Sequence, residues 1–149
     1  MKTRRDFIKK TAAGSAALSL GGLIMPSMGY SNILGANDKI NVAVIGVRSR
    51  AKAHFVAINQ DPNAKVLYSC DVDDKILEEH NVWCKKNIGY IPKVEKDFRK
   101  ILEDKNVDAV FIATPEHWHA PMAIMALQAG KHVYVEKPCS HNPHENELL

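Results

Sequence analysis

KINVAVIGVRSRA, from Lys39 to Ala51, is the stretch that decides the fold. Lys39 to Gly46 is a short, β-branched apolar run that ends in glycine, the pattern of a strand buried on both faces of a parallel sheet. The residues after it predict a helix from about Arg50 to Gln60, closed by the turn Asp61-Pro62-Asn63. A strand that passes through a glycine turn into a helix is the opening of a dinucleotide-binding unit, whose fingerprint is G-x-G-x-x-G. Only the first glycine, Gly46, is present in GVRSRA; Arg48 holds the second place and Ala51 the third. Ala51 is a mild change, because that position only has to pack closely against the sheet. Arg48 is a larger one: its side chain must turn away from a pyrophosphate, or else reach across with Arg50 to neutralise it. The helix N-terminus behind the turn still offers amide donors and a partial positive charge to an anion.

Outward from this unit, strand and helix patterns keep alternating. KVLYSC, Lys65 to Cys70, reads as a second strand ended by Asp71. A helix from about Asp73 to Lys86 follows, with Asp73 or Asp74 as its cap and Ile76, His80, Trp83 and Asn87 on one face. His80 reads as a packed residue there, not a ligand. Tyr90-Ile91 fits a very short third strand, and Val94, Phe98, Ile101 and Leu102 fit the stripe of a third helix. Asp108 to Pro115 is an apolar strand. A helix from Ala120 to Ala129 has Pro121 in its first turn and Gly130 just past its end. HVYVEKP, His132 to Pro138, is the last clear strand, and PHENELL at the end opens a further helix at Pro143. A helix start so close to Leu149 gives the expectation of a chain cut off before a second domain. The whole pattern predicts an α/β fold, a doubly wound parallel sheet, in residues 37–149.

In such sheets ligands bind beyond the carboxyl ends of the strands, so the residues just after each strand are the candidates. Asp71 ends the second strand 25 residues after Gly46, near the spacing of an acid that accepts from both ribose hydroxyls. A carboxylate there repels a 2′-phosphate and favours NAD over NADP; Arg48 and Arg50 argue for NADP. The other reading of Asp71 is a helix cap. In ATPEHWHAP, Ala113 to Pro121, Thr114, His117, Trp118 and His119 gather between a strand and a Pro-started helix. Two histidines at i, i+2 without a supporting carboxylate or cysteine set do not make a metal site. A flat indole and polar imidazoles suit a nicotinamide and its ribose better.

The segment ATPEHWHAPMAIMALQAGKHVYVEKP resembles the glucose-fructose oxidoreductase, inositol dehydrogenase and rhizopine-catabolism family, Gfo/Idh/MocA, over about Lys39 to Leu149. The resemblance implies an N-terminal Rossmann domain that holds NAD(P), followed by an α/β domain that shapes a sugar or polyol site and supplies most catalytic residues. It places Gly46, Arg48, Ser49 and Arg50 under the pyrophosphate and Asp71 on the adenosine ribose. Thr114, His117, Trp118 and His119 then line the cofactor's other half, Glu136 approaches the nicotinamide ribose, and Lys137 meets cofactor and substrate. A lysine near a reacting carbinol stabilises the developing alkoxide or helps move its proton; the alternative is a lysine that only binds cofactor phosphate or ribose. Pro138 sets the strand's exit and permits a cis bond that aims Lys137. Assembly into a homo-oligomer would run through the C-terminal sheet.

Composition, 46% hydrophobic and 25% charged, is that of a globular protein. The net charge of +3 belongs to the leader: residues 1–36 hold Lys2, Arg4, Arg5, Lys9 and Lys10 against Asp6, which leaves about −1 for the rest. No nucleic-acid footprint follows from that balance. The three cysteines, Cys70, Cys84 and Cys139, are odd in number and scattered, which excludes a disulfide framework. The leader pairs Arg4-Arg5 with Phe7-Ile8-Lys9 ahead of a Gly/Ala/Ser-rich apolar run, Thr11 to Met25. It is similar to a signal for the twin-arginine export machinery, so a periplasmic destination is expected. Three functions remain open: hydride transfer on a sugar or cyclic polyol, NAD-dependent glycoside cleavage by oxidation, elimination and reduction, and nucleotide binding without catalysis.

Overall fold

The computed structural model describes residues 39–149; the leader and its export signal lie outside the described residues. Five strands pair in parallel in the order β3-β2-β1-β4-β5: β1 Ile40–Ile45, β2 Ala64–Cys70, β3 Lys93–Glu95, β4 Ala109–Ile112 and β5 His132–Val135. The helices are α1 Ala51–Gln60, α2 Asp74–Asn87, α3 Phe98–Glu103, α4 His119–Gln128 and α5 Pro143–Leu148, with a 3₁₀ turn at Glu116–Trp118.

The period of two along β1 builds both faces of the core. Val42 and Val44 join Phe55 and Ile58 of α1 and Leu77 and Cys84 of α2. Ala43 and Ile45 join Ile101 and Leu102 of α3 and Met122, Ala123 and Ala126 of α4 on the other side. The sheet is therefore wound on both faces, as the alternation predicts. The chain leaves β1 toward β2 on one side and returns to β4 on the other. The switch in direction falls between β1 and β4, and a crevice at their carboxyl ends follows from it.

Three expectations need correction. The third strand is Lys93–Glu95, not Tyr90-Ile91; Tyr90 instead turns inward and its hydroxyl accepts from the Val66 N–H at 3.1 Å. Val94 therefore lies in β3 and is exposed, while Phe98, Ile101 and Leu102 keep their helical stripe in α3. On α2 the fully buried face is Leu77, His80 and Cys84, with Ile76 and Trp83 at its margin and Asn87 exposed. His80 is common to the expected and the buried faces, and the buried one is rotated toward Leu77 and Cys84. The cap of α2 is Asp73, whose carboxylate accepts from the amides of Lys75 and Ile76.

Candidate functional site

The first turn is shaped by Gly46. Its φ of +82° is the left-handed region that favours glycine, and a Cβ there would lie 2.8 Å from the backbone of Ala113 and Thr114. That closeness lets the β1 turn and the β4 turn share one crevice floor. The Gly46 N–H donates to Cys70 O at 2.8 Å, and the Val47 N–H donates to Asp71 Oδ2 at 3.1 Å. The end of β2 is thus bonded to the turn. Among the described residues the amides of Arg48, Ser49 and Arg50 have no acceptor, so this donor set is available to an anion.

Asp71 follows β2 directly and accepts two backbone amides. Oδ2 takes the Val47 amide and Oδ1 takes the Asp73 amide at 3.2 Å, and each oxygen keeps a further lone pair for a ribose hydroxyl. The cap of α2 is Asp73, so Asp71 is not the capping residue. Arg48 turns away from the crevice and pairs with Asp73 at 3.3 Å on the surface. Ser49 is exposed on the turn.

A crevice of about 570 Å³ is lined by Arg50, Ala113, Thr114, Glu116, His119, Glu136, Lys137 and Pro138. It brings together Arg50, Thr114, His119, Glu136 and Lys137 from the sequence-derived set. His119 is buried under it. Its Nδ1 lies 2.6 Å from Pro138 O and its Nε2 2.8 Å from Thr114 O, so the ring is wedged between the exits of β4 and β5. Lys137 is exposed at the crevice wall, next to a cis peptide bond to Pro138. His117 and Trp118, by contrast, lie on the exposed 3₁₀ turn and are not among the crevice-lining residues.

Glu136 is buried at the crevice floor and accepts from Arg50 Nε at 2.7 Å. His54 Nε2 lies 2.7 Å from the same oxygen, outside hydrogen-bond geometry. The Arg50 bond lowers the Glu136 carboxyl below its ordinary range, and the same bond raises the Arg50 guanidinium. His54 had no fingerprint to reveal it. The available signal is its place four residues after Arg50, on the helix face that also buries Ala51, Phe55 and Ile58. Cys70 and Cys84 are buried thiols, pushed up by burial to about 12 and about 11, and so are poor nucleophiles.

The geometry is that of a dinucleotide crevice, and comparison with known proteins agrees. Residues 40–149 match the family model described as an oxidoreductase family with an NAD-binding Rossmann fold, Gfo/Idh/MocA. A glycosyl hydrolase family 109 protein of Shewanella pealeana is 32% identical over 136 residues, 87% of this chain and 27% of that protein. The scyllo-inositol dehydrogenase of Lactobacillus casei, solved with NAD(H) and scyllo-inositol, is similar with a TM-score of 0.62 at 29% identity, over 74% of this chain and 33% of that one. The WlbA dehydrogenase of Bordetella pertussis, in complex with NADH and UDP-GlcNAcA, gives 0.64 at 28% identity, over 74% and 32%. The chain thus spans about a third or less of the length of the proteins it matches.

Proposed function

The chain belongs to the Gfo/Idh/MocA oxidoreductase family, and from that membership we propose that it holds the nicotinamide dinucleotide of an enzyme acting on a sugar or cyclic polyol. The observation that carries this reading is the crevice at the switch between β1 and β4, which brings Arg50 of the first turn together with Thr114, His119, Glu136 and Lys137. When bound, the nicotinamide accepts or returns a hydride at a carbinol carbon. The amides of Arg48 to Arg50 bind phosphate oxygens, and Asp71 accepts from the adenosine ribose and repels a 2′-phosphate, which favours NAD. Thr114 and the wedged His119 ring keep the β4 exit in place beside the nicotinamide. Lys137 stands at the wall where a substrate oxygen arrives, and there its ammonium stabilises an alkoxide or carries its proton.

A second reading has its own support, since the curated relatives in the comparison are named glycosyl hydrolases. The same residues then serve oxidation, elimination and reduction in turn, with no net change of the nucleotide. The leader adds a destination: Arg4 and Arg5 ahead of the apolar run support export through the twin-arginine machinery to the periplasm. A protein exported folded takes its nucleotide with it.

Denaturing the protein purified from its native compartment and weighing the released small molecules tests the cofactor. NAD in near-equal amount to protein is expected; NADP would move the role of Asp71. A protein that releases no nucleotide and binds none on titration would overturn the reading. Turnover then separates the chemistries: a polyol dehydrogenase accumulates reduced nicotinamide with its ketone, whereas a glycosidase frees the aglycone with none.

A further inference from the structure

Glu136 presents a problem of electrostatics that the local sequence does not solve. It follows β5 directly, is only 8% exposed, and has no cation among its neighbours in the chain except the outward Lys137. A carboxylate so placed is costly unless it is paired. Both partners come from across the crevice. Arg50 precedes α1 and His54 lies four residues on, so the two side chains leave one face of the helix. The His54 ring is held edge-on between Phe111 of β4, at 5.5 Å, and Tyr134 of β5, at 5.2 Å. Phe111 and Tyr134 are themselves stacked at 4.8 Å, which fixes the slot. Arg50 Nε and His54 Nε2 both lie 2.7 Å from Oε1, and among the described residues Oε2 has no partner. The terminal nitrogens of Arg50 likewise make no hydrogen bond among the described residues. Arg50 and Glu136 both line the crevice.

Resting on the reading that this crevice holds a nicotinamide dinucleotide, we propose that Arg50 and His54 are positioning residues for Glu136. They hold Oε1 so that Oε2 accepts from the nicotinamide-side ribose, and they tie that half of the crevice to the turn that takes the pyrophosphate. The arrangement also explains why the turn carries an arginine where a small residue suffices for a phosphate cradle.

Two probes separate the proposal from the reading beneath it. ADP ends at the pyrophosphate; NAD⁺ reaches Glu136. Titrating the full chain with each, His54→Phe is expected to weaken NAD⁺ about tenfold, the scale of a lost contact to a charged group, and to leave ADP within about twofold. Arg50→Gln is expected to weaken NAD⁺ by more than ADP, with Arg50→Lys recovering most of the difference. His54→Gln, which restores a donor in the same slot, is expected to bind NAD⁺ better than His54→Phe. In a Glu136→Gln background the His54→Phe loss should vanish, since the group being positioned is gone. Variants that melt lower but keep the wild-type ratio of NAD⁺ to ADP affinity would overturn the proposal and leave the cofactor reading intact. A wild-type chain that binds neither probe would overturn the cofactor reading, and the proposal with it.

Discussion

At the scale of single residues, Gly46 carries the most structure for its size. Its left-handed φ costs an ordinary residue about 1–2 kcal/mol, and a methyl there would meet the Ala113–Thr114 backbone at 2.8 Å, which no side-chain movement relieves. Gly46→Ala should therefore lower the stability of the domain by more than about 2 kcal/mol, read as a lower urea midpoint with an unchanged slope. The same substitution at Gly89, where a Cβ would meet nothing within 4 Å, should lose only the cost of its φ. Gly46 and Asp71 were legible because each has a fixed distance from a strand end, and spacing is what a sequence displays directly. The partners of the two arginines were not. Arg48 found Asp73 and Arg50 found Glu136, and the second of those contacts spans 86 residues. Nothing local in GVRSRA indicates which acid a long, mobile side chain will meet, and the same holds for His54, whose neighbour Glu136 lies far along the chain.

At the scale of elements, α2 shows where periodicity reads well and where it does not. Its cap and length follow from Asp73 and the apolar spacing, yet its buried face is set by what lies opposite. His80 fits edge-on to Phe55 at 4.5 Å and parallel to Trp83 at 5.6 Å, with Nε2 3.1 Å from Cys84 Sγ. That packing, not the helix pattern, puts the Leu77–His80–Cys84 line inward. β3 was misplaced for a related reason: three residues are too few to show an alternation, and its pairing with Tyr68 to Cys70 is made by the sheet. Burial, aided by Lys52, lowers the His80 imidazole from 6.5 to about 4. The unfolded chain binds a proton near its ordinary 6.5 and the folded one does not. The contribution of the neutral ring is thus complete above pH 6.5 and is lost as pH falls toward 4, a change of about 3 kcal/mol at most. Urea midpoints taken across that window should fall for the wild type and fall markedly less for His80→Leu. Equal slopes would mean that the ring is protonated in place.

At the scale of the whole molecule, the fold class was the most legible feature, because alternating strands and helices with short links leave little but a doubly wound parallel sheet. The order β3-β2-β1-β4-β5 is one of the orders such a sheet can take, and it sets the crevice where the chain changes direction. Since the crevice is assembled from the exits of β1, β4 and β5, a ligand that spans it should stabilise the sheet and not only a loop. Anything that binds the folded chain alone adds RT ln(1 + [L]/Kd), about 2.7 kcal/mol at a hundredfold excess over Kd. For a domain of this size that is a rise in melting temperature on the order of 10 °C. Saturating NAD⁺ should produce that shift. On the proposed reading ADP would engage only the turn and Asp71 and should produce it at correspondingly higher concentration, and NADP⁺ should need more than NAD⁺ because its 2′-phosphate would meet the Asp71 carboxylate. If NADP⁺ shifts the transition at lower concentration than NAD⁺, then Arg48 has left Asp73 to take the phosphate, and the acid at the end of β2 does not choose the cofactor. If ADP and NAD⁺ act at the same concentration, the β4 and β5 exits take no part in binding, and Glu136 and Lys137 must serve another ligand.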